Sequence, residues 1–110
     1  SSMKIIVVDN YLPRRGELEN LIRIVFEDAQ ISFFESIDVA TLPILEPSLL
    51  VVHRNSPEYR SIVGSKDFKA YRIFFSGSYS GRFKKSEHEY HTNLKNLEKV
   101  LKEIEVHILS

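Results

Sequence analysis

The chain has 110 residues, enough for one compact domain with a modest core of its own. Fifteen basic and fifteen acidic side chains cancel, so no overall field draws it to nucleic acid or to an anionic membrane. It has no cysteine, which excludes a disulfide scaffold and thiolate metal sites and removes any argument for an oxidising compartment.

Residues 3–110 read as the domain, with Ser1-Ser2 before Met3 expected to be a cloning remnant. Lys4–Val8 (KIIVV) is a continuous β-branched run, as in a parallel strand buried on both faces. Pro13 suits a first helical turn. Leu18, Leu21, Ile22, Val25, Phe26 and Ala29 follow at helical spacing, with Arg15, Glu19, Arg23 and Glu27 opposite them. Ile31–Phe34 is a short second strand. Ile37–Leu45 has room for a brief helix only, punctuated by Pro43 and Pro47. Leu49–Val52 is the third strand, Glu58–Val63 a short helix ending near Gly64, and Tyr71–Phe75 the fourth strand.

Towards the end of the chain, Ser86-Glu-His-Glu89 fits a capping box at the start of the last helix. Leu94, Leu97, Leu101, Ile104 and Ile108 then form an apolar stripe. Its spacing also matches a coiled-coil seam, but about two heptads are better explained by one helix packing on its own sheet. No run approaches the roughly 20 apolar residues needed to cross a bilayer, and no signal peptide is evident. The charge is mildly polarised. Residues 1–55 carry five Lys and Arg against eight Asp and Glu, and residues 56–110 carry ten against seven.

Strand–helix alternation predicts an α/β doubly wound sheet, with ligands beyond the carboxyl ends of the strands. The positions to inspect are therefore Asp9 and Asn10, His53 to Pro57, and Ser76 to Gly81.

Those strand ends resemble the receiver domain of bacterial response regulators. Val7–Ile22 (VVDNYLPRRGELENLI) is similar to that family's first strand, acidic turn and first helix. Leu49–Pro57 (LLVVHRNSP) matches its third strand, phosphoacceptor position and following proline. Phe74–Gly77 (FFSG) stands at its hydroxyl switch, and Lys85, after Arg82-Phe83-Lys84, matches the lysine ending strand five. The resemblance implies a single five-stranded parallel sheet of flavodoxin-like topology, order 2-1-3-4-5. The helix between strands 4 and 5 is expected to be shortened or missing, since Ser78–Gly81 is too short for one.

Receiver chemistry needs an aspartate that takes the phosphoryl group and two acidic residues that hold Mg²⁺. A hydroxyl and a lysine contact the phosphoryl oxygens. Here Asp9 keeps one acidic position, Asn10 replaces the second, and His53 occupies the acceptor position. Imidazole forms no acyl phosphate and ligates Mg²⁺ poorly. Asp9, Asn10, His53, Ser76 and Lys85 thus form a degenerate phosphoacceptor pocket, as in the pseudo-receiver branch. Near Asp9 a charged His53 would be favoured, and burial would oppose it.

Other constellations stand beside these. His88 and His91, with Glu87 and Glu89, could share a helical face for Zn²⁺, but exposed helical histidines are usually solvated, so no metal is expected. A His53–Asp9 pair could orient a base, yet no serine or cysteine is placed as its nucleophile. Ser76, Gly77, Ser78, Arg82 and Lys84 form a candidate anion loop without a Walker or GxGxxG pattern. Tyr79 and Phe83 interleave with its charges, but the neutral total argues against nucleic-acid binding. The expected function is a phosphorylation-independent regulatory module of the cytoplasm, working through a protein partner or a fused effector domain, without cofactor, enzyme activity or membrane contact. Self-association stays open. The alternatives are a sensor of a nucleotide or anion over the strand ends, or a small enzyme using His53.

Overall fold

Lys4–Val8 (β1) and Leu49–His53 (β3) lie side by side as parallel strands, Ile5 beside Leu49 and Val8 beside Val52. Ile5 to Val8 and all of β3 are buried, which is why both sequences are unbroken apolar runs rather than alternating ones. The computed structural model of the chain describes residues 3–109 apart from 64, 66–68 and 82. Gln30–Phe34 (β2) pairs with the outer side of β1, Tyr71–Ser76 (β4) with β3, and Glu89–Asn93 (β5) with β4. Every ladder is parallel, in the order β2-β1-β3-β4-β5, the flavodoxin-like arrangement expected from the sequence.

Alternation along the strands divides the core into two layers. Ile5, Val7, Val51, Ile73 and Phe75 face Arg15–Val25 (α1) and Leu97–Leu109 (α4), whose Leu18, Ile22, Leu97, Leu101 and Ile104 are fully buried. Ile6, Val8, Leu50, Val52 and Phe74 face Leu42–Leu45 (α2) and Glu58–Val63 (α3), which contribute Leu42 and Ile62. The terminal stripe therefore packs on its own sheet. Pro13 sits in a 3-10 turn, Leu12–Arg14, that leads into α1, and α1 ends at Val25, so Ala29 belongs to the turn before β2. The end of α3 near Gly64 lies outside the described residues. No helix among the described residues is long and apolar enough to cross a membrane.

The connection from β4 to β5 has the shortened, helix-poor form expected, but its path was not foreseen. Among the described residues no helix lies between Ser76 and Glu89. The chain instead runs back along the outside of β5. Lys84 bridges Tyr90 in antiparallel sense, the His91 N–H donates to the Phe83 carbonyl at 2.7 Å, and the Lys85 N–H donates to the Glu89 carbonyl at 2.9 Å. This covers an edge whose unpaired backbone would otherwise invite other strands. Two corrections result. Phe83 and Lys84 are this return segment, and the fifth parallel strand is Glu89–Asn93. Ser86–Glu89 caps no helix either. The cap is Asn93, whose Oδ1 accepts the Asn96 N–H at 2.9 Å ahead of the 3-10 turn Leu94–Asn96 and α4. The Glu-Tyr-His-Thr-Asn run carries no apolar periodicity of its own, so its strand state comes from β4 on one side and the return segment on the other.

Candidate functional site

Asp9 leaves β1 with its N–H bonded to the Phe34 carbonyl at 3.0 Å, which extends the ladder by one residue and buries the side chain. Its carboxylate is fully occupied from within. Arg14 donates Nε–H to Oδ2 at 2.7 Å and Nη2–H to Oδ1 at 3.1 Å, and the Tyr11 N–H adds a bond to Oδ1 at 3.1 Å. The 3-10 turn containing Pro13 folds Arg14 back over the strand end, where its guanidinium lies 4.9 Å from the Tyr11 ring centre and 5.8 Å from that of Phe75. The hydrogen bond to Asp9 raises the Arg14 pKa above its ordinary value, against the opposing effect of burial. Asn10 is exposed beside this pair. A Mg²⁺ ion would have to displace a bidentate guanidinium from a buried carboxylate. Sequence reasoning passed over Arg14. The available signal was an arginine five residues beyond Asp9, just after a turn-forming proline.

His53 ends β3, buried, with its ring edge-on to Phe75 at 5.0 Å between centres and 85° between planes. Its Nδ1 accepts the Asn55 N–H at 3.1 Å, so the proton of the neutral ring sits on Nε2. Burial, reinforced by the Arg14 charge, lowers its pKa, and the Asp9 charge opposes this only in part. The balance left open by the sequence thus falls to the neutral form. Ser56 tightens the turn that follows, donating from its hydroxyl to the His53 carbonyl at 2.7 Å.

A separate cleft of about 390 Å³ opens on the other side of the strand ends, lined by Arg54, Asn55, Tyr59, Ser76, Gly77 and Ser78. Neither Asp9 nor His53 lines it. The Arg54 guanidinium lies 5.5 Å from the Tyr59 ring centre and 4.6 Å from that of Tyr79, within cation–π range of both. Below Tyr79 the imidazole of His91 is buried among Phe74, Tyr79 and Tyr59, at 5.1, 5.8 and 6.1 Å between ring centres. This aromatic cluster occupies the flank where the layer has no helix.

The remaining predicted residues are dispersed. Ser76, half-buried, ends β4 and contributes to the cleft with the exposed Gly77 and Ser78. Lys84 and Lys85 are exposed, and Lys85 precedes β5 instead of ending it, with its Nζ 5.7 Å from the Tyr79 ring centre. The residue at the carboxyl end of β5 is Asn93, which also donates from Nδ2 to the Tyr79 carbonyl at 2.9 Å. Arg82 lies outside the described residues. His88 and His91 flank and enter β5, so they share no helical face, and no group of three metal-ligating side chains occurs among the described residues. Arg54, Tyr59 and His91 are the site residues that sequence reasoning left without a role in the cleft.

No protein-family model matches the chain, and no curated protein matches it either. A larger hollow of about 570 Å³ lies at the opposite, amino edge of the sheet, between Pro43, Pro47, Ala70, Tyr71 and Ile108. Glu46, Ser48 and Lys69 also border this mainly apolar hollow, whereas the smaller cleft joins a cation to hydroxyls at the carboxyl edge, where such sheets bind ligands.

Proposed function

We propose that the chain is a receiver-like signalling domain that has given up phosphorylation and works through protein–protein contacts, as a pseudo-receiver does. One observation carries this reading: Arg14 neutralises the only carboxylate of the expected metal site from inside the fold. A guanidinium cannot be released on cue as a metal ion can, so the strand edge is held in one state without Mg²⁺ or phosphate. His53 supports the same reading. With Nδ1 accepting from backbone and Nε2 protonated, its neutral ring has no free lone pair for attack or for proton abstraction, which argues against the enzyme alternative. Tyr11 and Leu12, 53% and 49% exposed, put apolar surface directly above this edge, which suits a protein partner in the cytoplasm or a fused effector domain.

The test is incubation of the intact chain with Mg²⁺ and acetyl phosphate, followed at once by intact mass spectrometry. The expected result is no added phosphoryl group. Uptake by the wild type overturns the reading and turns attention to His53 as an acceptor.

A further inference from the structure

Among the described residues Arg54 has no ionic partner. Among these residues the carboxylates paired with a basic side chain are Asp9 with Arg14, Glu19 with Arg23 and Glu98 with Lys102, and Glu89 is hydrogen-bonded to the neutral His91, so none is paired with Arg54. A guanidinium carries five N–H donors. Here Nη2 reaches the Tyr59 hydroxyl at a long 3.5 Å, and Nε is buried with no acceptor. A half-buried cation in that condition has lost water without gaining a counter-charge, which is unfavourable unless something else supplies one.

None of the residues that line the cleft carries a carboxylate, and Glu89, the acidic neighbour of the adjoining His91, is hydrogen-bonded to that ring. Lys85 also lies near Tyr79, its Nζ 5.7 Å from the ring centre against 4.6 Å for the Arg54 guanidinium carbon. Ser76 and Ser78 bring hydroxyls to the wall of the cleft. Gly77 stands between them in open space. A Cβ built there would meet nothing within 4 Å, so packing does not require the glycine, while its absent side chain leaves the backbone open to a ligand. The volume of about 390 Å³ is near the lower end of small-ligand sites.

We propose that this cleft binds a phosphate-class oxyanion, as free phosphate or a small phosphate monoester, with the Arg54 guanidinium beside Tyr59 and Tyr79 as its anchor and Ser76, Gly77 and Ser78 around it. A rigid planar fork suits two oxygens of a tetrahedral dianion, and hydroxyl and backbone donors suit the others. The ligand would bind without covalent chemistry, beside the Asp9–Arg14 pair and not upon it. The inference is therefore independent of the partner proposed above, and failed phosphate binding leaves the phosphorylation test untouched.

The experiment is a ¹H–¹⁵N NMR titration of the full chain with inorganic phosphate and, in a second series, with glucose 6-phosphate. Sodium chloride at matched ionic strength is the control. Saturable shifts centred on the amides of Asn55, Gly77 and Ser78 are expected with the phosphates and not with chloride. Tighter binding of the sugar phosphate identifies a monoester as the ligand class, and equal affinities identify the free ion. Arg54→Gln should weaken binding about tenfold or more. Ser78→Asp, at an exposed position that folding tolerates, should abolish it by like-charge repulsion, which keeps the test decisive if Arg54→Gln fails to fold. Shifts that do not saturate, that chloride reproduces, or that persist in Ser78→Asp would overturn the proposal.

Discussion

Arg14 grips Asp9 with both arms of its guanidinium, yet the two side chains are buried very unequally, 20% and 1% exposed respectively. That asymmetry governs what each partner costs to lose. Arg14→Ala strands a buried carboxylate and should destabilise the fold by about 3–5 kcal/mol. Asp9→Asn keeps an acceptor for the Tyr11 N–H and leaves a guanidinium that water can reach, so the loss should be about 1–2 kcal/mol. Urea denaturation of the two variants at neutral pH checks the order. Equal losses, or a reversed order, would show that Arg14 does not serve as the internal counter-ion.

The same pair predicts how Mg²⁺ binding could be restored. Adding carboxylates through Asn10→Asp and His53→Asp increases the ligand charge, which governs affinity for a hard cation. Arg14 would still occupy Asp9. The double variant should therefore bind Mg²⁺ weakly, and a further Arg14→Ala change should strengthen binding by roughly tenfold or more. Calorimetric titration of both reads this directly, and a double variant already as tight as the triple one contradicts the blocking role.

Two buried histidines make stability fall with acid. Burial is the main cause of the lowered pKa of both His53 and His91, assisted by the Arg14 charge in one case and by Arg54 and Lys85 in the other. His91 is also faced by Tyr59, Phe74 and Tyr79, and its Nε2–H donates to the Glu89 carboxylate at 2.8 Å, which opposes the shift but does not cancel it. Its Nδ1 is buried without an acceptor, so a second proton there would go unsatisfied. Above the ordinary value of 6.5 neither folded nor unfolded chain is protonated at these rings, and stability is full. As pH falls through that value the unfolded chain binds protons that the folded chain refuses, and stability declines until the folded values are passed. Denaturation midpoints between about pH 5 and 8 should show this loss, with a shallower slope in His53→Gln and again in His91→Phe. Unchanged slopes in both variants would exclude the two rings as its source.

Leu97 is fully buried against the sheet, whereas Val106 on the same helix is 66% exposed. Leu97→Ala should cost about 2–5 kcal/mol. Val106→Ser should stay within about 0.5 kcal/mol, as surface changes usually do. Chemical denaturation of both variants tests whether α4 presents to the sheet the face described. A loss at Leu97 as small as that at Val106 would mean that it does not.

The central strands were legible because their burial is recorded locally. A strand covered on both faces needs an unbroken apolar run, and Ile5–Val8, Leu49–Val52 and Ile73–Phe75 supply one each. The α4 stripe was legible for the same reason, since Leu97, Leu101 and Ile104 keep one face of a helix apolar whatever precedes them. Those elements point to a doubly wound α/β sheet with strand ends at Asp9, His53 and Ser76, while the order 2-1-3-4-5 came from the resemblance to receiver domains. Tertiary structure alone decided β5, where His91 and Thr92 are polar residues buried between β4 and a returning loop, a pairing with no periodic trace in sequence. It also decided the charges. That Arg14 spends its donors on Asp9 while Arg54, just after His53, lies beside two tyrosines and pairs with no carboxylate among the described residues depends on where turns and distant rings bring each guanidinium. Charge alone made the two arginines equivalent, and only their surroundings made one a plug and the other an open cation.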